Sequence, residues 1–182
     1  GMSFRSMGWK VVTMTFSDVI AKGGVPLSFL CSITVPNDTN IDDLRDIFAG
    51  IKEACDYYKC SYMGGDLGSG RDIVIVGVGI GESDKYIARG TAKNGDSVWV
   101  TGTFSKSAVA LHYLLNNGKS IRGINQILSD FYEPKVEKNL ALALRKIATA
   151  CMDSSDGLAV TLNDIARLSN VRICLLYTSP SP

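Results

Sequence analysis

The chain of 182 residues carries a net charge of +1, is 46% hydrophobic and 20% charged, and contains 18 glycines. That composition is that of a soluble α/β protein rather than a disordered or fibrous one, and its scattered basic residues leave no footprint for nucleic acid. The longest apolar run, Ile73 to Ile80, is far short of the about 20 residues that cross a bilayer, and five cysteines without a C-x-x-C spacing (Cys31, Cys55, Cys60, Cys151, Cys174) read as reduced cytoplasmic thiols.

In chain order, Phe4, Met7, Val11, Thr15, Val19 and Lys22 fall at helical spacing, and Gly23-Gly24 supplies a left-handed stop. Asp18 shares the stripe of Val11 and Thr15, so the spacing predicts an inward carboxylate that needs a partner, either a nearby lysine or turn, or a cation. Leu27 to Val35 alternates like a half-buried strand. Asn40 is placed to cap a helix whose apolar stripe is Ile41, Leu44, Ile47, Phe48, Ile51, Cys55 and Tyr58. A short strand, Ser61 to Met63, then runs into Gly64-Gly65-Asp66. The pattern predicts a hairpin with the strand Ile73 to Ile80, which would be central, and Asp66 at the hairpin mouth. There Asp66 is either turn chemistry or a ligand of a phosphate-bound metal.

Two nucleotide signatures fail: Glu82 stands where the dinucleotide fingerprint needs its third glycine after Gly77 and Gly79, and no P-loop motif occurs. A domain boundary is expected between residues 82 and 89. Beyond it, Asn94-Gly95-Asp96 predicts a turn into a strand from Ser97 to Val100. Thr101-Gly102-Thr103-Phe104-Ser105 then opens a helix to Leu115, as a phosphate seat or with Ser105 as a simple cap. His112, the only histidine, falls mid-helix, where a surface role is expected. Asn116-Asn117-Gly118 breaks that helix, and Pro134 is expected to start another, to about Thr149. Cys151-Met152-Asp153-Ser154-Ser155-Asp156-Gly157 follows as a short strand feeding a helix to Leu168. Its two carboxylates suit Mg²⁺, and they equally suit a helix N-cap. Val171 to Leu176 reads as a strand, residues 177–182 as a non-native tail, and both ends as cut.

Gly8-Trp9-Lys10, Ser17-Asp18 through Gly23, Gly64-Gly65-Asp66, Arg89-Gly90 with Gly95-Asp96, Val100-Thr101-Gly102-Thr103 and Asp153-Ser154-Ser155-Asp156-Gly157-Leu158 together resemble the thiamine-monophosphate kinases. The resemblance runs from Gly8 to about Val171. It extends to a superfamily with aminoimidazole ribonucleotide synthase, selenophosphate synthetase and a hydrogenase maturation protein. It implies an aminoimidazole ribonucleotide synthase-like α/β fold in two parts. Residues 1–82 would form an N-terminal ATP- and Mg²⁺-binding dimerisation domain with a mixed sheet, truncated at its start, and residues 83–176 a truncated C-terminal α/β domain.

Carried over residue by residue, the resemblance implies Mg²⁺ ligands at Asp18, Asp66, Asp153 and Asp156. It places ATP contacts at Gly65, Asp66, Arg89 and Ser155, with Asp156 and Arg89 acting in catalysis. The implied reaction moves the γ-phosphoryl of ATP onto thiamine monophosphate in a cytoplasmic homodimer. The family's acidic N-terminal segment and its thiamine-holding C-terminal part are absent, and Ser105-Lys106-Ser107-Ala108 stands where the family reads Gly-Asp-Ser-Ala. Other readings are a different ATP-dependent member of the superfamily and a non-catalytic nucleotide-binding or dimerisation fragment.

Overall fold

The computed structural model describes residues 1–116 and 121–175. Helix α1 (Phe4–Ala21) starts where the Ser3 hydroxyl accepts from Ser6 N at 3.0 Å. It stops as expected at Gly23 (φ 77°), where Gly23 N and Gly24 N close onto Ile20 O and Val19 O. Strand β1 (Val25–Val35) follows, then α2 (Ile41–Tyr58), capped by Asn40 through Asp42 N at 3.0 Å.

Strands β2 (Ser61–Ser69) and β3 (Val74–Glu82) are each longer than the sequence suggested, and they do not pair with each other. The sheet order is β2-β1-β3, with β1 parallel to β2 and antiparallel to β3. The expected hairpin is therefore wrong, and β3 is an edge strand with β1 in the centre. The physical reason lies in β1, whose alternation places Phe29, Cys31, Ile33 and Val35 in the core and leaves both of its edges open to a partner.

Helices α1 and α2 cover one face of this sheet, and Val12, Phe16, Ile20, Phe29, Ile33, Ile47 and Ile51 form the core between them. The two helices approach backbone to backbone. A methyl group on Gly50 would lie 1.9 Å from Arg5 O, and one on Gly8 would lie 2.0 Å from Ile47 O. On the uncovered face Val74, Val76, Val78 and Ile80 are each half exposed.

Residues beyond Glu82 contribute α3 (Lys106–Leu115), α4 (Ile124–Tyr132), α5 (Leu140–Ile147) and α6 (Leu158–Ser169). Among the described residues this part holds no strand. The expected strand from Ser97 to Val100 has no ladder partner there, and Trp99 is 88% exposed. An alternating run becomes a strand only beside another strand. Residues 171–175 are likewise irregular, and the expected tail at 177–182 lies outside the described residues.

Helix α4 was not anticipated, although Ile124, Ile127, Leu128 and Phe131 carry the spacing for it. Pro134 starts no helix. Residues 133–139 instead form a strap over α1 and α2, held by side chains of those helices that donate to its carbonyls at Pro134 and Val136 and accept from Val136 N–H. Trp9 Nε1 donates to Pro134 O at 2.7 Å, Tyr57 Oη to Val136 O at 3.4 Å, and Val136 N to Tyr58 Oη at 3.1 Å, while Lys10 Nζ donates to Phe131 O at the end of α4 at 2.9 Å.

Candidate active site

Three segments meet at the end of α1. The last turns of that helix carry Ser17, Asp18 and Lys22, the loop after β3 carries Arg89, and the stretch before α6 carries Cys151 to Asp156. Backbone bonds fix the second and third segments to each other and to the first: Ile87 N donates to Lys22 O at 3.0 Å and Cys151 N to Ala88 O at 3.2 Å. Lys22 Nζ reaches across to Cys151 O at 3.2 Å. At the other end of α6, Ser169 Oγ accepts from Ala92 N at 3.1 Å, which ties the loop carrying Arg89 to the helix that follows Asp156.

This scaffold brings Asp18 and Asp153 face to face. Ser17 Oγ donates to Asp153 Oδ2 at 3.3 Å, and Asp153 lies close enough to Asp18 to act on its ionisation. Partial burial pushes the Asp18 carboxyl above the usual carboxylate range, the neighbouring Asp153 pushes it further, and Lys22 and Arg89 pull it back. Burial also pushes the Lys22 ammonium down, as does Arg89, while Cys151, Asp153 and Asp18 oppose the shift. Two carboxylates, a hydroxyl and two cations thus gather in one corner, side-chain types that can bind phosphate and a hard divalent ion.

Asp18 is exposed rather than turned into the core, which corrects the inward reading of its stripe. The core-facing positions of α1 are Val12, Phe16 and Ile20, rotated from Val11 and Thr15. An open groove of about 560 Å³ starts at Asp18 and runs along α1 past Thr15, Met14 and Lys10 to Ile75 and Gly77 on β3.

The remaining sequence-derived residues lie on β2 and in the loop before α6. Asp66 is mid-strand in β2 rather than in a turn, opposite Ser32, and by register it shares the uncovered sheet face with Ser32 and Val76. Gly65 is opposite Cys31, and a methyl group there would lie 1.6 Å from Cys31 O. Its glycine thus serves the close approach of β1. Ser155 and Asp156 are exposed before α6. The helix begins at Gly157 (φ 96°) with no side-chain cap, so the simple N-cap explanation of this acidic stretch fails. Among the described residues no three His, Cys, Asp or Glu side chains cluster tightly enough to hold a metal.

Ser105 is left-handed (φ 75°) and makes no cap bond to α3, and Lys106 pairs with Asp130 at 2.7 Å, which consumes its charge. His112 sits on α3 with its Nδ1 3.3 Å from Asn116 Nδ2, outside the site. Sequence reasoning gave Lys22 no role in the site. Its signal was a basic residue closing the helix that carries Asp18.

Residues 2–83 match the AIR synthase related protein N-terminal domain. The chain is 33% identical over 173 residues to the thiamine-monophosphate kinase of Aquifex aeolicus, covering 94% of this chain and 56% of that protein. It is 38% identical over 174 residues to that of Pyrococcus horikoshii, covering 96% and 55%. Among solved structures, AaThiL complexed with AMPPCP and TMP superposes with a TM-score of 0.87 at 32% identity, covering 92% of this chain and 54% of that one. The chain therefore spans about half the length of the curated relatives it matches.

Proposed function

We propose that this chain, similar to the thiamine-monophosphate kinases over almost its whole length and sharing their fold, carries the nucleotide- and Mg²⁺-binding part of such a kinase. The reaction is transfer of the γ-phosphoryl of ATP to the phosphate of thiamine monophosphate. The observation that carries the reading is the facing pair Asp18 and Asp153, set between Lys22 and Arg89 at the junction of three segments.

The donor set fits Mg²⁺, since carboxylate and hydroxyl oxygens with room for water and phosphate are what that ion takes. Asp18 and Asp153 would hold it, and we assign Asp66 and Asp156 to the same family of ligands. Bound there, the ion would offset the charge that two phosphates bring together. The acceptor is a phosphate monoester with a second pKa near 6, so its oxygen is already anionic at neutral pH and needs no general base. That agrees with His112 lying outside the site. What the chain must supply is position and positive charge. Arg89 offers a planar fork of donors to phosphate oxygens, and Lys22, anchored on Cys151 O, offers a compact charge beside them.

Three finer assignments accompany this reading. We place the division between an N-terminal domain and a C-terminal one at residues 82–89, where β3 ends and the loop carrying Arg89 begins. The exposed valines of β3 support pairing of two copies through the uncovered sheet face. All five cysteines are free, which suits a reducing cytoplasm, and no described helix is long and apolar enough to cross a membrane.

The test is ADP release by the gene product carrying residues 1–182, with thiamine monophosphate as acceptor and Mg²⁺ present. Mg²⁺-dependent ADP release that requires this acceptor is expected. ADP release only with other acceptors would move the assignment to another ATP-dependent member of the superfamily.

A further inference from the structure

The C-terminus of α2 ends in a tight turn of the Schellman type. Lys59 is left-handed (φ 57°, ψ 39°), its N–H bonds Asp56 O at 3.3 Å, and Cys60 N–H bonds Cys55 O at 3.0 Å. A turn of this kind brings the residues at positions 55 and 60 into side-chain contact, a place ordinarily taken by two apolar groups. Here both are cysteines, and Cys60 packs against the core cluster that contains Cys55.

The pair is asymmetric. Cys55 is 2% exposed among core side chains, whereas Cys60 is half-buried and can be reached from solvent. The neighbouring Cys55 thiol draws the Cys60 thiol below its ordinary pKa, and Cys60 together with burial pushes Cys55 up. One thiol is thus the accessible nucleophile and the other a protonated neighbour waiting behind it. Neither belongs to the site built from Asp18, Asp153 and Arg89.

We propose that Cys55 and Cys60 form a reversible dithiol site that reacts with a low-molecular-weight disulfide and closes to an intramolecular disulfide. The Cys60 thiolate attacks one sulfur of the small disulfide, breaks its S–S bond and expels one thiolate. Cys55 then gives its proton to that thiolate and attacks the Cys60 sulfur, forming the internal bond and expelling the second thiolate, which takes up the proton released when Cys60 ionised. Two protein thiols are oxidised and one small disulfide is reduced to two thiols. A disulfide needs Cα atoms about 4.4–6.8 Å apart, and the Cys60 N–H to Cys55 O bond of the turn holds the two residues close. The bond would join the last turn of α2 to the residue just before β2, the strand carrying Gly65 and Asp66.

The chain is equilibrated in buffers of oxidised and reduced glutathione, alkylated and digested with trypsin. Cleavage after Lys52, Lys59 and Arg71 separates the two cysteines, so the disulfide is read as peptide 53–59 linked to peptide 60–71 and lost with dithiothreitol. This linked pair is expected to be the dominant oxidised species. The Cys55→Ala variant is expected to carry a single glutathione on peptide 60–71 instead. Cys60→Ser, at the half-buried position, is expected to leave Cys55 unmodified. A stable glutathione adduct on peptide 60–71 of the unaltered chain with no linked pair would overturn the proposal. So would linkage dominated by Cys31, Cys151 or Cys174.

Discussion

Replacing Asp18 with asparagine removes one of the two facing carboxylates at nearly constant shape. Asp18 is held above the usual carboxylate range by burial first and Asp153 second, so the folded chain binds its proton more tightly than the unfolded chain does. The corresponding stability is complete below the unfolded pKa of about 4 and is lost as the pH rises through the higher folded value. At pH 7 the ionised pair is therefore a cost. Because Asp18 is mostly exposed, solvent screens the repulsion to roughly 0.5–1 kcal/mol. A chain of this size shifts its midpoint by about 2–4 °C per kcal/mol, so Asp18→Asn should melt about 1–4 °C higher at pH 7. The difference should vanish near pH 3, where both chains are neutral at this position. Mg²⁺ reverses the comparison. At ten times its dissociation constant it stabilises the unaltered chain by about 1.4 kcal/mol, and it should add less than half of that to the variant. The assay is thermal unfolding with and without Mg²⁺ at both pH values. A variant that melts lower than the parent at pH 7, or an equal Mg²⁺ shift in both chains, would refute the reasoning.

Three other outcomes follow from the same geometry. Asp156→Asn should lower turnover of the gene product by on the order of 10²-fold or more, since it removes a full charge from the proposed metal–phosphate region. It should leave stability within about 0.5 kcal/mol, because the residue is exposed and caps nothing, and steady-state kinetics beside a melting curve reads both. Gly50→Ala should destabilise by about 1–3 kcal/mol in urea unfolding despite the better helix propensity of alanine, because the new methyl meets the Arg5 backbone at 1.9 Å. Arg145→Ala should cost about 1.5–3 kcal/mol, through the bonds its guanidinium makes to Gly23 O at 2.6 Å and Glu82 O at 3.0 Å. Hydrogen exchange at Ile87 N–H should quicken in that variant.

The first helix, first strand and second helix were legible because each carries both its period and its punctuation. Asn40 opens the second helix, Gly23 closes the first, and Phe29, Cys31, Ile33 and Val35 alternate between them. Pairing was not legible. Adjacent strands joined by a glycine-rich stretch suggest a hairpin, yet β2 and β3 each bind a different edge of β1, a choice made by tertiary packing. The strap at residues 133–139 escaped for a related reason, since its hydrogen bonds go to Trp9 and Tyr58, more than 70 positions away. At the site, Asp18 and Asp153 were both named from the sequence, and their contact depends on the backbone bonds that join Lys22, Ile87, Ala88 and Cys151. Lys22 was named only as part of the helical stripe and given no role in the site, because a lysine at a helix end has an ordinary explanation in the helix dipole. The strand expected at Ser97 to Val100 shows the opposite failure, a correct apolar pattern with no partner strand among the described residues.

The central claim is that the Asp18–Asp153 corner belongs to a kinase that makes thiamine diphosphate. The most direct measurement is ³¹P NMR of the gene product carrying this chain with ATP, Mg²⁺ and thiamine monophosphate, for the parent and for Asp153→Asn. The expected result is conversion of the monophosphate resonance into the coupled pair of thiamine diphosphate in the parent, abolished by chelation of Mg²⁺ and slowed by on the order of 10²-fold in the variant. An unchanged monophosphate resonance in the parent, or equal rates in the two proteins, would contradict the claim.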